Sequence, residues 1–159
     1  MKLKIGFGYD VHRLEENLPL FIGGIEIPHT KGSVGHSDAD VLLHAICDAL
    51  LGAASLRDIG YHFPDTSEDF KNIDSKILLQ RVVSLIKQNG YTVNNVDSTI
   101  CLQRPKISTF IDKMKDAISV ILEVETEDVS IKATTTENLG FIGHEEGISA
   151  YAVALLIRN

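Results

Sequence analysis

The chain has 159 residues, 44% of them hydrophobic and 23% charged, with a formal net charge of −7. That length suits one domain with its own core. No run approaches the ~20 apolar residues of a membrane span, and an acidic chain without a basic patch argues against nucleic-acid binding. Cys47 and Cys101 sit far apart in apolar runs with no C-x-x-C spacing, which predicts buried free thiols and a reducing compartment. The apolar stretch after Met1 is too short for a signal peptide, so a cytoplasmic protein is expected. In chain order, residues 3–11 read as a strand. Residues 20–27 read as two short strands around Gly23-Gly24 or as one bulged strand, and 28–36 as a loop. A helix begins near Ser37-Asp38, either of which can cap it, and carries Val41, Leu42, Ala45, Ile46, Ala49 and Leu50 at helical spacing. Residues 57–73 read as a long irregular loop. A second helix is capped at Asp74 or Ser75 and stops at Gly90, and 91–103 is a strand. Pro105 then opens a third helix to about Leu122, and strands follow at 128–135 and 147–157. The last strand is apolar on both faces and needs cover on both. The expected fold is an α+β sandwich, one sheet with three helices on one face, whose other face a homo-oligomer would cover.

Asp10 and His12 are two apart on a strand and so project to one side. A carboxylate and an imidazole on one face are two thirds of a three-ligand zinc site, although a lone D-x-H is common. On the first helix Asp40, His44 and Asp48 fall at i, i+4, i+8, a polar line with no Lys or Arg in it. His44 would complete the ligand set, leaving one tetrahedral position open, and a neighbouring acid would orient its ring. Gly35-His36-Ser37-Asp38-Ala39-Asp40 feeds a helix N-terminus, which favours anions, although simple capping accounts for Ser37 or Asp38 alone. Lys132-Ala133-Thr134-Thr135-Thr136-Glu137 ends a strand with three hydroxyls and a carboxylate. It suits phosphate oxygens and a hard cation, and equally suits plain strand propensity. A phosphate substrate on so acidic a chain needs cations, and Lys106 and Lys132 are expected to add positive charge.

These segments, with Ala49-Leu50-Leu51-Gly52-Ala53-Ala54, Asp58-Ile59-Gly60, Phe63-Pro64-Asp65-Thr66 and Leu139-Gly140-Phe141, together resemble in order and spacing the 2-C-methyl-D-erythritol 2,4-cyclodiphosphate synthases of the non-mevalonate isoprenoid pathway. The likeness runs through essentially the whole chain and implies one domain over 1–159. It implies a homotrimer with active sites between subunits and a cytidine diphosphate substrate, 4-diphosphocytidyl-2-C-methyl-D-erythritol 2-phosphate, which closes to a cyclic diphosphate and releases CMP. It implies Zn²⁺ on Asp10, His12 and His44, a second ion (Mg²⁺ or Mn²⁺) held with Glu137, and transition-state stabilisation by His36 and Thr135. Substrate contacts are implied for Asp10, His12, His36, Ser37, Asp40, Asp48, Asp58, Ile59, Gly60, Phe63, Pro64, Asp65, Thr66 and Ser67. On the nucleotide side they are implied for Leu102, Gln103, Arg104, Pro105, Lys106, Ile107, Ser108, Thr134, Thr135, Thr136, Glu137, Phe141 and His144. In such enzymes a central trimer cavity can hold isoprenoid diphosphates. Here His144 stands where many relatives have Arg, and Tyr151 where several have an acidic residue, which weakens that expectation. A metal-dependent phosphohydrolase and a non-catalytic isoprenoid carrier are the competing readings. No extra base is evident for the first, and a carrier would have no need to keep the ligands.

Overall fold

A computed structural model describes residues 1–158. Its main sheet comprises β1 (Lys2–Glu16), β4 (Lys31–Ser33), β5 (Thr92–Cys101), β6 (Val129–Thr134) and β7 (Gly147–Arg158) in the order β4-β1-β7-β5-β6. β1 pairs antiparallel with β7 from Lys2 to Arg13, β5 runs antiparallel along the other edge of β7, and β6 runs parallel to β5. The sheet is therefore mixed, with one parallel pair among antiparallel ones. β2 (Leu20–Ile22) and β3 (Ile25–Ile27) form a separate hairpin. Its turn is Gly23-Gly24, with φ of +62° and +77°, the left-handed pair that a tight hairpin demands.

Three helices, α1 (Val41–Ala53), α3 (Ser75–Gln88) and α4 (Ile111–Leu122), pack over one face of the sheet. Two single turns, α2 (Ile59–His62) and α5 (Gly140–Gly143), lie in the connections. α1 is buried almost all round, which marks it as the central helix of the core rather than a surface one. Strand alternation sorts the two sheet faces. Ile148, Ala150, Ala152, Ala154 and Leu156 of β7 are buried against the helices. Leu3, Ile5, Phe7, Tyr9 and Val11 of β1 and Tyr151 and Val153 of β7 are exposed on the opposite face. The last strand is thus covered on one side only within a single chain.

Gly6 and Gly8 on β1 let α1 descend onto the strand. A Cβ on Gly8 would stand 1.9 Å from the Ala45 carbonyl oxygen, and one on Gly6 would stand 1.9 Å from that of Ala49. No side chain fits there, so strand and helix backbones touch directly. That contact sets the height of His44 above β1.

Five expectations are corrected. β1 continues to Glu16, and the 28–36 loop contains β4. α1 starts at Val41, because the Asp40 carboxylate, not Ser37 or Asp38, caps it by accepting the Leu43 N–H at 3.1 Å. The 57–73 segment holds α2, capped by Asp58, and a 3₁₀ turn at Glu68–Phe70, capped by Ser67. Pro105 does not open a helix. The Leu102 N–H bonds to the Thr134 carbonyl, so the chain is still tied to β6 there, and α4 begins at Ile111 after a 3₁₀ turn at Ser108–Phe110. α3 starts after the Asp74 cap as expected. Cys47 and Cys101 are free thiols, the first buried and the second half-buried.

Candidate active site

Period two carries on from Gly6 and Gly8 to Asp10 and His12, so both side chains face α1. There they meet His44 from the first turn and a half of that helix. Asp10 Oδ2 lies 2.8 Å from His12 Nε2 and 3.1 Å from His44 Nδ1. The two ring nitrogens are 3.2 Å apart. The other nitrogen of His12, Nδ1, is 2.9 Å from the Val34 carbonyl oxygen. A carbonyl only accepts, so Nδ1 carries the proton and Nε2 turns a lone pair inward. His44 Nε2 is 2.9 Å from Ser75 Oγ and 3.1 Å from Ser37 Oγ. Gly35 lies against the His12 ring, where a Cβ would come within 3.2 Å of Cε1.

Burial by itself would raise the Asp10 carboxyl, but the imidazoles of His12 and His44 beside it outweigh that and hold the group at about 2. Burial likewise pushes the His12 imidazole down, and Asp10 beside it turns the net shift upward. Two imidazoles and one carboxylate oxygen within 4.8 Å of one another form the one such group of potential ligands among the described residues. The donor set fits a divalent ion of the zinc class with a coordination position to spare.

These three groups form part of the wall of a cavity of about 550 Å³. His36, Ser37, Ile59, Gly60, Phe63, Pro64, Asp65 and Thr66 line it, as do Phe70, Ile73 and Leu78, which the sequence reading did not single out. Asp58 stands at its edge as the cap of α2. The Ser67 carbonyl takes the Nε2–H of His36 at 2.9 Å. Two expected members are elsewhere. Asp40 is fully buried, with its carboxylate taking the N–H groups of Gly23 (2.9 Å), Gly24 (2.6 Å) and Leu43. It fastens the β2–β3 hairpin to α1 and faces no cavity. Asp48 accepts the Ile59 N–H at 2.7 Å and sets α2 beneath the cavity rather than lining it. The polar line along α1 is therefore one candidate ligand, His44, between two backbone anchors.

A second, smaller cavity of about 210 Å³ lies at the ends of β5 and β6. Leu102, Gln103, Pro105, Lys106, Ile107, Ser108, Ala133, Thr134 and Thr135 line it. No residue lines both cavities. Just beyond β6, Thr135 Oγ1 donates to Glu137 Oε1 at 3.2 Å and Thr136 Oγ1 to the Leu139 carbonyl at 2.7 Å. Glu137 is exposed at φ +53°. Arg104 extends toward Glu145, 3.6 Å away, and does not line the cavity. Nor does Lys132, which pairs with Asp97 on the open sheet face. Phe141 packs on Gly147 near Val11 and His12, and His144 is exposed at the end of α5; neither joins the two main cavities. The missed residues with a legible signal are Gly6 and Gly8, which share the period of Asp10 and His12.

Known proteins resemble the chain along its whole length. A protein of Bacteroides thetaiotaomicron, a 2-C-methyl-D-erythritol 2,4-cyclodiphosphate synthase, is 60% identical over 159 residues, covering 100% of both chains. The bifunctional IspDF of Campylobacter jejuni superposes with a TM-score of 0.95 at 40% identity, over 99% of this chain and 43% of that longer one. A CDP complex of IspF from Plasmodium falciparum superposes with a TM-score of 0.86 at 35% identity, over 99% and 97% of the two chains. The family model described as the YgbB family matches residues 3–157, and on that span, with those relatives, the chain belongs to the YgbB family.

Proposed function

We propose that this chain, working as a single domain, converts 4-diphosphocytidyl-2-C-methyl-D-erythritol 2-phosphate to 2-C-methyl-D-erythritol 2,4-cyclodiphosphate and CMP in non-mevalonate isoprenoid synthesis. The observation that carries the reading is the convergence of Asp10, His12 and His44 on one point in the wall of a cavity large enough for a sugar-alcohol phosphate. An oxygen of the 2-phosphate forms a bond to the β-phosphorus, and the bond from that phosphorus to the bridging oxygen breaks. The bridging oxygen leaves with the electron pair on CMP, so no water is consumed. Nucleophile and electrophile belong to one molecule, and the chain's main task is to fold that molecule and hold it.

Zn²⁺ on Asp10, His12 and His44, and Mg²⁺ or Mn²⁺ with Glu137 among its ligands, would supply the positive charge that lets two anionic groups meet. The residues do the rest. Ser37 and the loop 58–67 hold the methylerythritol phosphate. Lys106 and the Thr134–Thr136 hydroxyls hold the nucleotide diphosphate. His36 and Thr135 steady the charge that spreads over the transferred group's equatorial oxygens.

His36 and Thr135 line different cavities of one chain, and the exposed apolar sheet face needs a cover. A homotrimer packed on that face, with each site built from two neighbours, satisfies both requirements. His144 and Tyr151 argue against isoprenoid diphosphates in its central cavity. A cytoplasmic location accords with the free thiols of Cys47 and Cys101. No helix among the described residues is long and apolar enough to cross a membrane. ³¹P NMR of a turnover mixture tests the reading: a cyclic diphosphate with stoichiometric CMP is expected, whereas inorganic phosphate would make the chain a phosphohydrolase.

A further inference from the structure

The outer nitrogen of His44 leads away from the cavity toward two groups with no role so far. Ser75 is fully buried as the first residue of α3, yet Asp74 caps that helix by accepting the Lys76 N–H at 2.8 Å. The Ser75 hydroxyl is therefore not needed as a cap. It lies between His44 Nε2, at 2.9 Å, and the Asp38 carboxylate, to which it hydrogen-bonds through Oδ1. Asp38 is itself fixed. Its Oδ2 takes the Ser75 N–H at 3.0 Å and its Oδ1 takes the Asp40 N–H at 3.2 Å.

Chemistry sets the direction of every bond in this chain. A carboxylate only accepts, so the single hydroxyl proton of Ser75 points to Asp38. The Ser75 oxygen then offers His44 nothing but lone pairs, and Nε2 must be the donor. Nδ1 is left with its lone pair aimed at the point shared by Asp10 Oδ2 and His12 Nε2. Ser37 Oγ accepts the Ala39 N–H at 3.1 Å and lies on the cavity side. It can share the His44 proton, but no carboxylate among its contacts fixes its own. His12 has the corresponding support from the Val34 carbonyl.

We propose that Ser75, oriented by Asp38, is a positioning residue that holds His44 in the one tautomer and ring orientation able to present Nδ1 to a metal ion. The inference rests on the reading of Asp10, His12 and His44 as a metal site, though not on the reaction assigned to it. Outer partners of this kind typically alter metal affinity by ~10–100-fold when removed.

The test is zinc affinity of the purified full chain, measured by competition with a chromophoric chelator, without reference to turnover. Ser75→Ala is expected to bind zinc ~10–100-fold more weakly than the unaltered chain. Ser75→Thr, which restores the hydroxyl, should recover most of the loss, and Asp38→Asn should fall between. An unaltered chain that binds no zinc would defeat the metal reading and this inference with it. Tight binding by the unaltered chain, matched by Ser75→Ala, would defeat the relay alone. A second measurement needs no variant and covers the case in which Ser75→Ala fails to fold. In the chain labelled with ¹⁵N-histidine and loaded with ¹¹³Cd, cadmium coupling is expected to His44 Nδ1, with a slowly exchanging proton on Nε2. Coupling to Nε2, or a freely exchanging proton, overturns the proposal.

Discussion

The two cavities are built in opposite ways. The one that holds Asp10, His12 and His44 is framed by a strand and helix in backbone contact, and its two imidazoles are tied from behind by Val34 and Ser75. The one at the ends of β5 and β6 is shallow, and Thr135, Thr136 and Glu137 beside it bond only to near neighbours in sequence. The first is preorganised by the core. The second has no such framing, which suits the proposed site shared between subunits. Substitutions that part strand from helix in the first should therefore damage architecture and metal binding together, while those in the second should damage turnover alone.

The sharpest way to break that contrast is at Gly8. Gly8→Ala forces a Cβ onto the Ala45 carbonyl, so α1 must move off β1. A loss of about 3 kcal/mol or more is expected in denaturant melts, together with lost zinc binding; an unchanged midpoint would mean that the contact is slack. His44→Ala comes next. It should abolish zinc binding, exceeding the ~100-fold that outer partners cost, and turnover with it, while gel filtration still gives the same assembly. On the other side, Glu137→Ala should cut turnover and leave stability within about 0.5 kcal/mol, read by the same melts. A large drop in stability would make Glu137 structural.

The smallest effect is in pH. Asp10 sits below its ordinary value, so its contribution to stability is present above about 4 and fades as pH falls toward about 2. His12 sits above its ordinary value, so its contribution is present below about 6.5 and fades as pH rises through the shifted value. A metal ion held by His12 would compete with that protonation. The melting-temperature gap between zinc-loaded and chelator-treated protein should thus widen from pH 6 to pH 8, and a constant gap would remove His12 from the ligand set.

Much of this was legible beforehand. Period two put Asp10 and His12 on one face, helical spacing put His44 on α1, and the Asp74 and Gly90 boundaries of α3 read directly from cap chemistry. What escaped was long-range. Asp40 and Asp48 share the face of His44, yet their partners, Gly23, Gly24 and Ile59, lie on other segments that periodicity cannot see. Ser75 looked like a cap because Ser usually is one; its bond to Asp38, 37 residues away in sequence, depends on how α3 crosses the loop before α1. Pro105 favoured a helix start locally, and the tie from Leu102 to β6 delayed it.

Since no residue lines both cavities, a lesion in one leaves the other whole. In the proposed trimer, two chains, each inactive alone, one damaged at His44 and the other at Glu137, would then restore a working site wherever the sound half of one abuts the sound half of its neighbour. Co-expression of such a pair should recover activity that neither shows separately. In a cell carrying two copies of the gene, different defects would partly mask one another.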